Sequence, residues 1–555
     1  YNSCCIHMPL NDMTIQSRMA ETRQQHEVWS SRLGVILAVA GSAVGLGNFL
    51  RFPGLAAQYG GGPFMIAYFT SLLLIGIPAS WVEWSLGRQG GALGFHSSPG
   101  IFHALIGRPW ARFLGLTGVL VPVGIYCYYV LIESWCLGYA WQALTGTFAQ
   151  RGFDFGAFFA RFTGAGGDGG ALQFGLGSVG PWLVAVMIIN FFFIYRGVSR
   201  GIEKVCTYAM PVLLVIALII LARVLTLGTP DPAKPEQNVL NGLGRMWNPG
   251  DWSRLADPQL WLAAAGQVFF TLSVGVGAII NFASYLKPDD DIVLSSTTAA
   301  AANEFCEVGV GGMLTVPAAF VFFGAAAVGG GTFGLAFQVL PHVFASMAFG
   351  TVFATLFFTL LFLAALTSSL SMLQPGIAFL EEGLGLQRRS SVALLGFVTS
   401  VGTMLVWWFS GDLKALDTFD FWIGTVALFV NGTLLVVVFS WIVGVEPGWR
   451  EAHRGAELRI PAVFKFILRY VTPTVLLIIL VTFVLKNAFG WNLSLTAPAF
   501  TPSGYITDLV GPKFNGPARV TVLFILLLAA YSTLLIALAG ERWKAVAPAR
   551  GGGGQ

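Results

Sequence analysis

The chain carries a scattered set of charged and amide side chains inside stretches that are otherwise apolar: Asn48, Arg51, Glu83, Glu133, Gln267, Asn303, Glu304, Glu307, Glu382 and Asp420. The run Thr367-Ser368-Ser369 adds hydroxyls to a further apolar stretch. Such groups cost at least about 2.5–3.5 kcal/mol each in hydrocarbon, so they face partners or water-filled cavities. Hydroxyls, amides and freed backbone carbonyls are hard oxygen donors, suited to small hard cations; no His/Cys cluster suggests a transition metal. A single hydroxyl usually bonds back to its own helix, and Glu83 and Glu133 read as packing groups of the bundle. The set as a whole points to a polar site within a membrane.

Other chemistry finds little support. Gly45-Leu46-Gly47 lacks the third glycine and the preceding strand of a dinucleotide fingerprint, and no phosphate-cradling GxxxxGK[ST] run occurs. No paired nucleophile and base stands at a readable spacing, so the chain does not read as an enzyme. His26, His96, His103 and His342 read as loop or helix-end residues, and the pair Tyr128-Tyr129 as core.

The elements that must position these groups follow from composition. Of 555 residues 55% are hydrophobic and 10% charged, with mean hydropathy +0.72. A soluble domain carries about 25% charged residues, so soluble enzymes, disordered chains and nucleic-acid binders are excluded. Stretches of about 20 apolar residues, the length of one crossing, begin near Leu33, Phe64, Leu114, Pro181, Ala209, Leu260, Ile292, Val352, Ser391, Phe421, Val463 and Val520. The expectation is an all-α polytopic membrane protein of about twelve helices. Longer soluble loops are expected around 144–180, 226–258, 324–349 and 487–516. The 144–180 loop is glycine-rich.

With the N-terminus inside, the larger share of the 31 Lys and Arg residues falls in tails and cytoplasmic loops, among them Arg88, Arg196, Arg200, Lys204, Arg388 and Arg450. Both termini are thus expected in the cytoplasm. Residues 1–28 are polar without an apolar run and read as a cytoplasmic tail, not a signal peptide. The six cysteines are Cys4 and Cys5 in that tail and Cys127, Cys136, Cys206 and Cys306 in or beside apolar stretches; they suggest no disulfide framework.

An internal repeat links the halves. Ala43-Val44-Gly45-Leu46-Gly47 lies within the first apolar segment and Ser273-Val274-Gly275-Val276-Gly277 within the sixth. Five crossings separate them, so they run in opposite directions. A matched pair of interrupted segments points to a transporter site at the bilayer midplane. Close-packing patches of small residues, such as Gly41 and Gly45, are the other reading. The polar neighbours Asn48 and Thr271 favour a site.

The sequence resembles the neurotransmitter:sodium symporter family over about residues 26–542. The resemblance rests on Trp29-Ser30-Ser31-Arg32-Leu33-Gly34, on Gly41 through Pro53, on Gly60-Gly61-Gly62 and on Glu83-Trp84. It continues in Tyr128-Tyr129, Glu133-Ser134-Trp135, Gln267 through Ser273, Asn303-Glu304, Leu366 through Ser369 and Asp420-Phe421-Trp422. It implies a leucine-transporter-type five-plus-five inverted repeat with discontinuous helices 1 and 6, two trailing helices, and sodium-coupled symport by alternating access. The implied layout is a tail at 1–28, a first repeat at 29–225 and an extracellular loop at 226–257. A second repeat follows at 258–445, the trailing helices at 446–542 and a tail at 543–555.

Residue by residue, the resemblance implies two sodium ions. One site would use carbonyls of Ala43 and Thr271, side chains of Asn48, Thr271 and Asn303, and the substrate carboxylate. The second would use carbonyls of Gly41, Val44 and Ala364 with the hydroxyls of Thr367 and Ser368. A substrate carboxylate would meet the N–H groups near Leu46 and Gly47 and the Tyr129 hydroxyl; its ammonium would meet carbonyls of Ala43, Phe270 and Thr271 and the Ser273 hydroxyl. A half-helix N-terminus favours an anion and freed carbonyls favour cations, in agreement.

Members that carry monoamines have an aspartate at the position of Gly45, so the substrate here should bring its own carboxylate. Ile125, Phe270, Val276, Ser368 and Met372 would line its side-chain pocket, which implies a neutral, hydrophobic amino acid. Val276 stands where a phenylalanine occurs in the family, leaving room for aromatic side chains, and adaptable Met372 closes the gap. Glu307 stands where chloride-dependent members have serine, beside the matching Tyr68, Gln267, Thr271 and Asn303, which implies chloride-independent transport. Arg51 and Asp420 match an outer ion pair. On the inner side Glu382 replaces an aspartate and His26 an arginine, so either that latch is weaker and pH-sensitive, or Arg23 takes the place of the arginine.

Partners are then an amino-acid substrate and the lipid bilayer, with no nucleic acid; a homodimer is one arrangement the sequence allows. The expected location is the plasma (inner) membrane. The competing readings are a non-transporting amino-acid sensor on the same scaffold and a sodium-conducting channel. A sensor should carry an added signalling domain; a channel should pass current without amino acid.

Overall fold

The computed structural model describes residues 29–169, 172–248, 250–324, 332–491, 502–512 and 514–546. His26, Cys4 and Cys5 lie outside them. The described chain is all-helical, and its long helices are α1 (Arg32–Ala43), α2 (Gly47–Gln58), α3 (Gly62–Ala92), α4 (Pro109–Leu144), α5 (Gly180–Tyr195) and α6 (Val198–Leu225). After a connecting segment come α7 (Pro258–Thr271) and α8 (Ala278–Ala283), then α9 (Ile292–Phe323), α10 (Thr332–Ala345), α11 (Gly350–Leu384), α12 (Arg388–Trp408), α13 (Gly411–Ala452), α14 (Val463–Phe489) and α15 (Gly516–Trp543).

The plan is the five-plus-five repeat. A broken span (α1 with α2) is followed by α3 to α6, and a second broken span (α7 with α8) by α9, α11, α12 and α13; α14 and α15 trail. The protein is a multi-pass membrane protein. Nine helices among the described residues are long and apolar enough to cross a bilayer, and the pair α1 and α2, bent by 46°, makes ten. Two of the expected dozen fall short of that length. Helix α5 has 16 residues before Gly197 turns the chain at φ +84°, and the sixth span is divided where Ser273, Gly275 and Gly277 take positive φ.

Capping explains where several helices begin. The Ser31 side chain accepts from the Gly34 N–H at the start of α1, and Asp291 does the same for Leu294 at α9. Helices α4 and α11 run side by side through the centre, both largely buried. In contrast, α6, α14 and α15 leave much of their apolar surface uncovered, as a lipid-facing ring must.

Two of the expected loops carry packed structure. Within 144–180 a short helix, Phe155–Thr163, seats Phe155, Phe158, Phe159 and Phe162 in an aromatic cluster with Tyr139, Phe148 and Phe337. Within 324–349 helix α10 buries Leu335, Ala336, Phe337, Leu340, Val343 and Phe344. Both were hidden because amphipathic segments this short do not reach the length of a crossing. His342 lies on α10, stacked on Phe155.

Candidate functional site

The site is built at the two breaks, which lie side by side. Helix α1 stops because Val44 has ψ +92°, which turns its carbonyl out of the helical ladder. The Gly45 N–H then donates to Asn48 Oδ1 at 2.8 Å. In the second break Ser273, a non-glycine residue, holds φ +55°, and its hydroxyl donates to the Ser42 carbonyl at 2.9 Å. The freed backbone of Gly275 is taken up by side chains of other helices: its N–H donates to Glu83, and its carbonyl accepts from Asn431 at 2.7 Å. Such partners are needed because unpaired backbone groups in hydrocarbon cost several kcal/mol each.

A first cluster of oxygens joins α1, α2, α7 and α9. Asn48 Nδ2 lies 2.8 Å from Asn303 Oδ1 and 3.3 Å from Thr271 Oγ1. The same end of the Asn303 amide faces the carbonyl oxygens of Ala43 at 3.2 Å and Thr271 at 3.3 Å. These neighbours ask for an acceptor and a donor at one point. Asn48 cannot resolve the conflict by turning, because its oxygen is held by the Gly45 N–H. A cation among the Asn303 oxygen and the two carbonyls satisfies all of them, and the buried, neutral, hard-oxygen donor set suits sodium. Among the described residues no group of His, Cys, Asp or Glu gathers as a metal site of another kind.

Behind this cluster stands Glu307, fully buried. It accepts from Gln267 Nε2 at 2.6 Å, from the Tyr68 hydroxyl at 3.1 Å and from the Thr271 hydroxyl. The same Tyr68 hydroxyl also reaches Glu304, at 2.9 Å. Asn303 Nδ2 lies 3.4 Å from the Glu307 carboxylate, so the four neighbours expected from the sequence surround it.

A second cluster joins α1 to α11. The Ser368 hydroxyl lies 3.3 Å from the Gly41 carbonyl and 3.1 Å from that of Ala364, and Thr367 Oγ1 lies 3.1 Å from the Ala364 carbonyl. Gly41 packs directly on Thr367: a Cβ there would stand 3.2 Å from the threonine Cβ. Val44, with its carbonyl turned out, is the neighbouring break residue.

Between the clusters lies the candidate substrate pocket. The Leu46 N–H donates to the Tyr129 hydroxyl at 3.4 Å. Gly45 is closely covered, since a Cβ there would meet Ser368 Oγ at 2.9 Å and the Tyr129 hydroxyl at 3.1 Å. Gly47 faces the Phe270 ring, which a Cβ would approach to 2.8 Å. Ile125, Val276 and Met372 are buried, and Phe270 is half-buried.

The candidate gates are arranged differently from the simple expectation. Arg51 and Asp420 do not pair with each other: the Arg51 guanidinium lies over the Phe270 ring at 4.7 Å, and Asp420 accepts from the Tyr128 hydroxyl at 2.7 Å. Beyond Arg51 a cavity of about 180 Å³ opens, lined in part by Tyr59, Phe429 and Phe483. At its rim, burial and then the Asp257 carboxylate push the Tyr59 phenol above its ordinary pKa. At the other end Glu382 is half-buried and accepts from the His96 N–H at 2.6 Å and the Ser97 N–H at 2.8 Å. The expected partner His26 lies outside the described residues.

Sequence reasoning missed Ser42 and Asn431, whose roles depend on which helices meet. It also missed Arg32 and Asp291, 3.4 Å apart at the Trp29 end, where the Asp291 carboxylate further accepts from the Glu457 N–H at 2.8 Å. Their polar neighbourhood at a helix start gave no signal beyond an ordinary cap.

With this geometry in hand, comparison with known proteins is informative. The family model described as the sodium:neurotransmitter symporter family matches residues 26–152 and 168–505. An uncharacterized sodium-dependent transporter of Haemophilus influenzae is 29% identical over 498 residues, covering 85% of this chain and all of that one. The sodium-dependent dopamine transporter of Bos taurus is 26% identical, over 86% of this chain and 74% of its own. Among solved structures, MhsT in complex with L-phenylalanine superposes with TM-score 0.71 at 30% identity, over 82% of this chain and 99% of that chain.

Proposed function

Because this chain belongs to the sodium:neurotransmitter symporter family, and is therefore a sodium-dependent transporter and not an enzyme, we propose that it imports neutral, hydrophobic amino acids together with sodium, and without chloride. The observation that carries the sodium site is the conflict at Asn303: its amide end meets both a donor and two carbonyls, and a cation resolves it. Two ions are proposed, the second held by Gly41, Val44, Ala364, Thr367 and Ser368.

Substrate chemistry follows from Gly45 and its surroundings. With no side-chain carboxylate there, and no room for one beside Ser368 and Tyr129, the carboxylate must come with the substrate. It is received by the N–H groups at the start of α2 near Leu46 and Gly47, the positive end of a half-helix. The ammonium meets the carbonyls of Ala43, Phe270 and Thr271 and the Ser273 hydroxyl. The side chain enters the pocket of Ile125, Phe270, Val276, Ser368 and Met372, which offers no charge to pair with lysine or glutamate. That a similar transporter was solved with L-phenylalanine supports an aromatic or aliphatic side chain.

Chloride independence rests on Glu307, whose carboxylate supplies, next to the first sodium, the negative charge that chloride would otherwise bring. Arg51 stacked on Phe270 forms the cover over the substrate, while Asp420 is held by the Tyr128 hydroxyl. Alternating access then requires this cover and the Trp29 end of α1 to loosen in turn. Both termini are proposed to lie in the cytoplasm.

The test is uptake of radiolabelled leucine and tryptophan into proteoliposomes, under an inward sodium gradient with gluconate as the only anion. Accumulation that collapses when potassium replaces sodium is expected. Sodium-dependent binding without uptake of any amino acid would favour a sensor, and current without amino acid a channel.

A further inference from the structure

At the Trp29 end of the bundle the start of α1 and the junction of α5 with α6 enclose a polar cavity of about 680 Å³. Ser30, Ser31, Arg196, Arg200, Glu203 and Lys204 line it. The carboxylate of Glu203 is already engaged, accepting from the Ser30 N–H at 2.9 Å and the Ser31 hydroxyl at 3.2 Å. The three cations are exposed, and among the described residues none has a carboxylate within 4.0 Å. Arg196 instead lies over the Phe192 ring at 4.2 Å. With three cations and the single Glu203 carboxylate in its lining, the cavity holds a net positive charge.

Two apolar stripes lead away from this cavity. On α6 Tyr208, which lines it, begins a row with Val212, Val215 and Ile219; on α5 Phe192 begins a row with Ile188 and Val184. Each row follows one helix face, and every member is more than a third exposed, from 47% for Ile219 to 67% for Tyr208. In a multi-pass membrane protein such a surface meets acyl chains. A cationic cavity at the membrane boundary, with exposed apolar helix faces running away from it, has the chemistry to hold a phospholipid.

We propose that this cavity binds the headgroup of an anionic phospholipid, with phosphate against Arg196, Arg200 and Lys204 and acyl chains along the exposed rows of α5 and α6. The occupant is a lipid and not a free anion because an apolar row starts at the cavity wall, at Tyr208. A lipid held here sits against the Ser30–Glu203 clasp at the base of α1, where it can bear on the movement of that helix. The inference needs only the membrane location and does not depend on the proposed substrate.

The test is native mass spectrometry of the full-length protein released from nanodiscs of mixed phosphatidylcholine and phosphatidylglycerol, with thermal unfolding as a second readout. The expected result is phosphatidylglycerol retained on the wild type, and retention weakened about fivefold per neutralised charge, hence about a hundredfold in R196Q/R200Q/K204Q. Added phosphatidylglycerol should raise the melting temperature of the wild type and leave that of the triple variant unchanged. The control R450Q/R459Q/R469Q should retain the lipid. Equal retention by wild type and R196Q/R200Q/K204Q would overturn the proposal, as would an equal loss in the control. Stabilisation by inorganic phosphate as large as by the lipid would also overturn it, in favour of a free-anion site.

Discussion

The Glu83 carboxylate, on α3, reaches the backbone N–H of Gly275 in the middle of the second break. On the other side of the same glycine Asn431 holds the carbonyl at 2.7 Å, and Thr117 in turn donates to Asn431 at 2.8 Å. The unwound segment is therefore braced from two sides by side chains far away in sequence. Gly275 itself has φ +79°, and a Cβ would stand 2.8 Å from the Leu428 carbonyl, so no larger residue fits this place. Glu83, which reads from the sequence as a packing group of the bundle, is a structural group that supports this break.

Removing that brace should be costly. Glu83→Ala leaves the Gly275 N–H buried without a partner, a loss of about 1–3 kcal/mol. A lower melting temperature in detergent micelles and loss of uptake are expected, with Glu83→Gln milder because its amide oxygen still accepts. An unchanged melting temperature in Glu83→Ala would contradict the bracing role.

On the proposed role of Glu307 as a substitute for chloride, Glu307→Ser should make uptake depend on chloride. Uptake by the wild type is expected to be the same in gluconate and in chloride, whereas the variant in gluconate should fall about tenfold or more, equivalent to about 1.4 kcal/mol or greater. Equal uptake by the variant in both anions would remove the charge-replacement argument.

Val276→Phe fills the space expected to admit large side chains. Overpacking of this kind costs about 1–3 kcal/mol, so tryptophan should lose about tenfold or more as a competitor against labelled leucine. Leucine itself should be less affected. Equal losses for both would place the substrate side chain elsewhere.

Gly45→Ala places a methyl 2.9 Å from Ser368 Oγ and 3.1 Å from the Tyr129 hydroxyl. The Ser368 hydroxyl must shift and the Tyr129 hydroxyl must give way slightly, which on the proposed binding mode disturbs the carboxylate seat. Leucine affinity should drop about tenfold or more, read by scintillation proximity binding. Unchanged affinity would argue against a carboxylate site at this break.

Asp291→Ala and Arg32→Gln separate a helix cap from a surface ion pair. Asp291 is buried and caps Leu294 at 2.8 Å while also accepting from Glu457. Its removal should cost about 1–3 kcal/mol. The Arg32 side chain is 39% exposed, so its loss should cost less than about 1 kcal/mol in thermal unfolding. The reverse order would make the pair, and not the cap, the principal contact at this end of α1.

What the sequence by itself determined is considerable, and the reason is local. Membrane spans are long apolar runs, legible without any tertiary contact, and glycines at Gly45 and Gly275 mark where a helix cannot continue. Polar residues within such runs announce themselves because hydrocarbon penalises them, which is how Asn48, Thr271, Asn303 and Glu307 stand out. Tertiary structure alone decided how these residues meet. The conflict at the Asn303 amide needs α1, α2, α7 and α9 at one point, and the support of Gly275 by Asn431 joins positions more than a hundred residues apart. The stacking of Arg51 on Phe270 in place of a direct pair with Asp420, and the packed helices within 144–180 and 324–349, likewise depend on three-dimensional neighbours. A carboxylate, an amide or a short amphipathic helix looks the same in sequence whatever it touches, and its role is set by the partner that folding brings to it.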